Sequence, residues 1–77
     1  MSVVAYILIK ANSGEADRLL EEIRDVEGVV DTHIVAGDVD LIAKVDVDSP
    51  GQVKDIAANA IQRIEGVENT ETYIAMD

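Results

Sequence analysis

Ile23-Arg24-Asp25-Val26-Glu27-Gly28-Val29-Val30-Asp31-Thr32 and Ile61-Gln62-Arg63-Ile64-Glu65-Gly66-Val67-Glu68-Asn69-Thr70 share the text I-x-x-[VI]-E-G-V-x-x-T. The separation is 38 residues, Ile23 falling on Ile61. The same shift lays Val3-Val4-Ala5-Tyr6-Ile7-Leu8-Ile9 on Leu41-Ile42-Ala43-Lys44-Val45-Asp46-Val47. A fixed period with matching punctuation marks a duplicated structural unit. The chain therefore reads as two copies of one half.

Each copy reads strand, helix, strand. Val3–Lys10 is apolar and β-branched, too short to stand as a helix. Asn12-Ser13-Gly14 interrupts it. Over Glu15–Val26, Ala16, Leu19, Leu20, Ile23 and Val26 recur at three and four, which predicts an amphipathic helix. Gly28 stands where a helix end takes a left-handed residue. Strands are predicted over Asp31–Ala36 and Asp40–Val47, joined by a tight turn at Gly37-Asp38-Val39. Ser49, Pro50 and Gln52 form a capping-box start for a second helix, whose inner stripe is Val53, Ile56, Ala57, Ala60, Ile61 and Ile64. Gly66 ends it, and Thr70–Met76 is the last strand.

The order βαββαβ with right-handed crossovers gives an α+β, ferredoxin-like sandwich. Its four-stranded antiparallel sheet carries both helices on one face, with the first and third strands central. Val3, Ala5, Ile7 and Ile9 then face the helices together with Leu41, Ala43, Val45 and Val47. Val4, Tyr6, Leu8 and Ile42 face the other way. A contiguous apolar patch of that kind calls for cover, and the simplest cover is a second copy, giving a dimer through the open sheet face.

Length and charge narrow the rest. The 77 residues make one domain, 1–77. A domain of that size buries only roughly 60–65% of its unfolded surface. With no Cys there is no disulfide and no thiolate metal site to reinforce it. Sixteen acidic residues against six basic ones give a net charge of −10. Phosphate neutralisation needs cations, so direct nucleic-acid binding is not expected. Nine Asp and only three Lys fit either plain solubility or adaptation to high salt. No apolar run reaches the ~18 residues of a membrane span. Val3–Ile9 is preceded by no basic residue, as a signal peptide would require, and the expected location is the cytoplasm.

Candidate chemistry is sparse. His33 is the one histidine, and no partner is spaced to make it a metal ligand. Asp38 and Asp40 match no metal-loop spacing. Phosphate-loop and dinucleotide fingerprints are absent. No cofactor and no catalytic centre are expected.

Taken in order, four segments resemble the Lrp/AsnC ligand-binding (RAM) domain. They are Ala5-Tyr6-Ile7-Leu8-Ile9-Lys10, Val26-Glu27-Gly28-Val29, Gly37-Asp38-Val39-Asp40-Leu41-Ile42 and Gly66-Val67-Glu68-Asn69-Thr70-Glu71-Thr72. The resemblance implies sheet-to-sheet homodimers that assemble into rings, commonly octamers, with an amino-acid effector in clefts between dimers. It implies ligand binding at Gly37, Asp38, Val39 and Asp40 of the hairpin, and at Thr70 and Thr72. Ala36 and Val39 depart from the family's usual Thr or Ser and aromatic residue. No helix-turn-helix precedes the first strand, so the resemblance implies a stand-alone domain acting on transcription or amino-acid metabolism through partners, full-length regulators among them. A ligand-free assembly module, and an enzyme of the dimeric α/β-barrel kind using His33, Tyr6 or Tyr73, are the competing readings.

Overall fold

A computed structural model of the chain describes residues 2–77. The elements are β1 (Val3–Ala11), α1 (Ala16–Arg24), β2 (Val29–Ile34), β3 (Leu41–Val47), α2 (Pro50–Lys54) and β4 (Val67–Ile74). α2 runs on without a break as a π-helical segment, Asp55–Ile61. The sheet order is β2-β3-β1-β4, and every neighbouring pair is antiparallel. This is the ferredoxin-like α+β sandwich that the duplication predicts, with β1 and β3 central. None of the described helices is long and apolar enough to cross a membrane.

Alternation along the central strands decides the core. Ala5, Ile7 and Ile9 of β1 and Leu41, Ala43 and Val45 of β3 are wholly buried. Leu19 and Ile23 of α1 lie against them, as do Val53, Ile56, Ala57 and Ile61 of the second helix. The opposite residues form the other face: Val4, Leu8 and Ile42 are half-buried, and Tyr6 is 41% exposed. Register sets Tyr6 beside Tyr73 and Leu8 beside Ile42, so the apolar strip crosses three strands.

The two repeat glycines begin the strands earlier than the pattern alone suggests. Gly28 and Gly66 take φ of 95° and 103°, values that side chains disfavour. Each reverses the chain at once, so β2 starts at Val29 and β4 at Val67 rather than at Asp31 and Thr70. β2 ends at Ile34 because a wider loop follows, closed by the Val35 N–H donating to the Asp40 carbonyl at 2.9 Å. The expected tight turn at residues 37–39 is thus a five-residue bend over 36–40. Gly37 has no positive φ.

The second helix begins as expected. Ser49 Oγ accepts the Gln52 N–H at 3.3 Å, and Gln52 Oε1 accepts the Ser49 N–H at 3.0 Å. Its π-helical continuation was not expected. The Gln62 N–H donates to the Ala57 carbonyl at 3.1 Å, five residues back. Spacings of three and four do not separate α from π winding. The buried Val53, Ile56, Ala57 and Ile61 all keep to the core side of this segment.

The copies also differ in how their threonines are satisfied. Thr70 Oγ1 donates to Gln62 Oε1 at 2.9 Å. In the first copy Arg24 replaces Gln62, and its Nη2 donates instead to the Thr32 backbone carbonyl at 3.1 Å. Thr32 Oγ1 is left buried with no partner among the described residues.

Thr32→Val removes that hydroxyl at nearly constant shape and is expected to raise stability by about 1 kcal/mol. Gly28→Ala forces a Cβ to 2.7 Å from Ile56 Cδ1 at a positive φ, with an expected loss of about 1–3 kcal/mol. Urea unfolding of the two variants checks both signs; a stabilised Gly28→Ala or a weakened Thr32→Val contradicts this packing.

Candidate functional site

The hairpin between β2 and β3 folds back over the end of β1. Asp40 is the reason. Its backbone N–H donates to the Ile9 carbonyl at 2.9 Å, and its Oδ2 accepts the Ala11 N–H at 2.8 Å. The second bond falls where the β1–β4 register shifts between Lys10 and Ala11, a bulge that frees a backbone donor. Lys10 Nζ donates to the Asp38 carbonyl at 3.2 Å. Hairpin and central strand are therefore tied by one carboxylate and one ammonium.

Two depressions flank β4. The first, about 640 Å³, lies beside the hairpin. Leu8 and Lys10 of β1 line it, with Asp38 and Val39 of the hairpin and Glu71 and Tyr73 of β4. Tyr73 Oη donates to Glu71 Oε2 at 3.0 Å. That bond and the negative charge of Glu71 hold the Tyr73 phenol above its ordinary pKa. The second, about 410 Å³, is a groove on the helix side. Val53, Ala57 and Ala58 form one wall, Thr72 and Ile74 the other, and Lys54 also lines it. The duplication explains this groove. The residues matching Ala57 and Ala58 are Leu19 and Leu20. Large side chains close the first half, and alanines leave the second half open.

The expected site residues are divided between these places. Asp38, Val39 and Thr70 line the first depression. Thr70 and Thr72 line the second. Gly37 and Asp40 line neither, although Asp40 builds the hairpin that walls the first. Lys10, Glu71 and Tyr73 were not among the expected residues. Alternation already placed Lys10 on the face of Tyr6 and Leu8, and that was the available signal. His33 lies on the edge strand β2, beside Asp31 at 3.1 Å, while Tyr73 lies on the opposite edge. Of the residues named for an enzymatic site, Tyr6 and Tyr73 stand opposite each other across β1 and β4, and His33 is not brought to them. No group of three or more His, Asp or Glu among the described residues is placed to hold a metal ion.

A family model described as the Lrp/AsnC ligand binding domain matches residues 4–77. The chain belongs to the Lrp/AsnC family. It is 34% identical over 80 residues to an uncharacterised HTH-type transcriptional regulator of Pyrococcus abyssi, covering 100% of this chain and 53% of that protein. It is 25% identical over 79 residues to the leucine-responsive regulatory protein of Escherichia coli, covering 99% of this chain and 48% of that one. The chain thus spans about half the length of these Lrp/AsnC relatives. A solved Thermus thermophilus structure superposes with a TM-score of 0.93 at 31% identity, covering 97% of this chain and 94% of that one. The Pyrococcus abyssi and Escherichia coli relatives are named as regulators, and the Lrp/AsnC assignment agrees with the observed fold.

Asp40→Ala leaves the Ala11 N–H without its carboxylate and loosens the hairpin. The expected cost is about 1–3 kcal/mol, with faster amide exchange at Ala11. Unchanged exchange there would show that the carboxylate does not hold the bulge.

Proposed function

We propose that residues 1–77 form one effector-sensing domain of a transcription or amino-acid-metabolism regulator, and that it works as an assembly. The observation that carries this is the apolar strip of Val4, Tyr6, Leu8, Ile42 and Tyr73 on a sheet face that none of the described helices covers. A second copy set face to face hides that strip on both partners at once, as two-fold symmetry requires. Lys44 and Asp46 of β3 share this face beside Tyr6 and Val4, and Asp31, His33 and Glu71 on the outer strands add charged and polar groups of both signs around it. Further association of dimers into a ring, octameric in the manner the resemblance implies, is part of the same proposal. So is mixed assembly with full-length Lrp/AsnC regulators.

The ligand in this reading is an amino acid. The hairpin depression offers an ammonium, carboxylates and hydroxyls around an aliphatic floor, which is what a small zwitterion needs. By its name, the Escherichia coli relative responds to leucine. Asp38, Val39 and Thr70 are proposed to contribute, with Gly37, Asp40 and Thr72 acting at the periphery of the site. A net charge of −10 leaves DNA contact to a partner. One observation favours a ligand-free assembly module instead: Asp40 already uses a carboxylate oxygen within its own fold.

Calorimetric titration of the assembled protein with each of the twenty amino acids tests the sensing role. Saturable heat with at least one is expected; none with any removes it. Leu8→Asp sets a carboxylate in the covered strip and is expected to split the assembly into single copies. A Leu8→Asp protein that stays associated would place the contact elsewhere.

A further inference from the structure

We infer that Lys44 selects the partner of the open sheet face: its ammonium pairs with a carboxylate presented by a second copy, so the face accepts an acidic sister chain and refuses one that sets a cation there. This rests on the assembly reading above. Lys44 lies on the central strand β3, opposite Tyr6 on one side and Asp31 on the other. Asp46 follows it on the same face, roughly 7 Å along the strand. The centres of covered interfaces are poor in lysine, and here one stands within the strip that a second copy hides.

The half-buried Lys44 has no ion partner in its own chain. Ion pairs among the described residues belong to Arg18, Arg24 and His33. Lys10, the other cation that the strands carry on this face, already donates to the Asp38 carbonyl. Asp31, the carboxylate beside Lys44, has its Oδ2 3.1 Å from His33 Nε2. Asp46 is exposed and enters none of those pairs. Covering the face strips water from the Lys44 ammonium, and a buried charge left unpaired is costly. A second copy removes that cost, because two-fold symmetry brings a lysine and its carboxylate neighbours from each chain to one contact. Without the lysine, Asp31 and Asp46 of one copy would meet the same carboxylates of the other, between chains of net charge −10. Like charges set across an interface repel and exclude that pairing.

The experiment is sedimentation velocity and native mass spectrometry on wild type, Lys44→Glu, Lys44→Arg and Asp46→Lys, alone and mixed. Lys44→Glu is expected to weaken association at least about 100-fold at low salt, and added salt is expected to recover part of it. Lys44→Arg keeps the charge and keeps the association. Lys44→Glu mixed with Asp46→Lys is expected to give mixed pairs in excess of the statistical share, since each supplies the charge the other lacks. If Lys44→Glu associates as wild type does, or if neither salt nor mixing relieves its loss, the assignment is overturned while a split Leu8→Asp protein still upholds the open-face contact. Should Lys44→Glu not fold, Asp46→Lys mixed with wild type decides: an excess of mixed pairs supports the assignment, and the statistical share overturns it. Wild-type protein found as single copies, or Leu8→Asp protein that stays associated, removes both the contact and the role of Lys44.

Discussion

The constraint on which this structure depends is that its sheet has two apolar faces and only two helices. Alternation in β1 and β3 sends Ala5, Ile7, Ile9, Leu41, Ala43 and Val45 to the helix side, where they are wholly buried. The intervening Val4, Tyr6, Leu8 and Ile42 go to the side the chain leaves open. A period of two allows no other outcome, since a one-residue slip would exchange the faces without covering either. That open apolar face is what supports the proposal of association.

Duplication supplies the frame, and divergence between the copies supplies the specificity. Both halves retain the glycine that turns helix into strand and the threonine that follows. Leu19 and Leu20 close the first half, and Ala57 and Ala58 open the second. Arg24 reaches the Thr32 carbonyl at the β2 edge, whereas Gln62 turns to the Thr70 hydroxyl and leaves the β4 edge without such a guard. Both depressions border β4. The half with alanines at 57 and 58 is the half that holds the helix-side groove.

Much of this was legible in residue order. The spacing of Gly28 and Gly66, the Ser49–Gln52 capping box and the alternation of β1 and β3 each act locally, so the sequence displays them directly. The hairpin residues were legible only through resemblance, and their individual roles were not. Asp40 bonds to Ala11 because a bulge frees that N–H, and the bulge comes from pairing with β4 far along the chain. That Lys10 and Glu71 line one depression shows only when register is known. The π-helical turn was hidden because spacings of three and four suit both windings. Apart from that local winding, what escaped the sequence depends on partners distant in the chain.

Small-angle scattering of the wild-type protein at low protein concentration tests the central claim most directly. A single copy has a Cα radius of gyration of 11.4 Å. The account predicts a radius well above that figure, with a scattering mass that is an even multiple of one chain. A radius close to it, with the mass of one chain, would mean that the open face stands in water, and the account would be wrong.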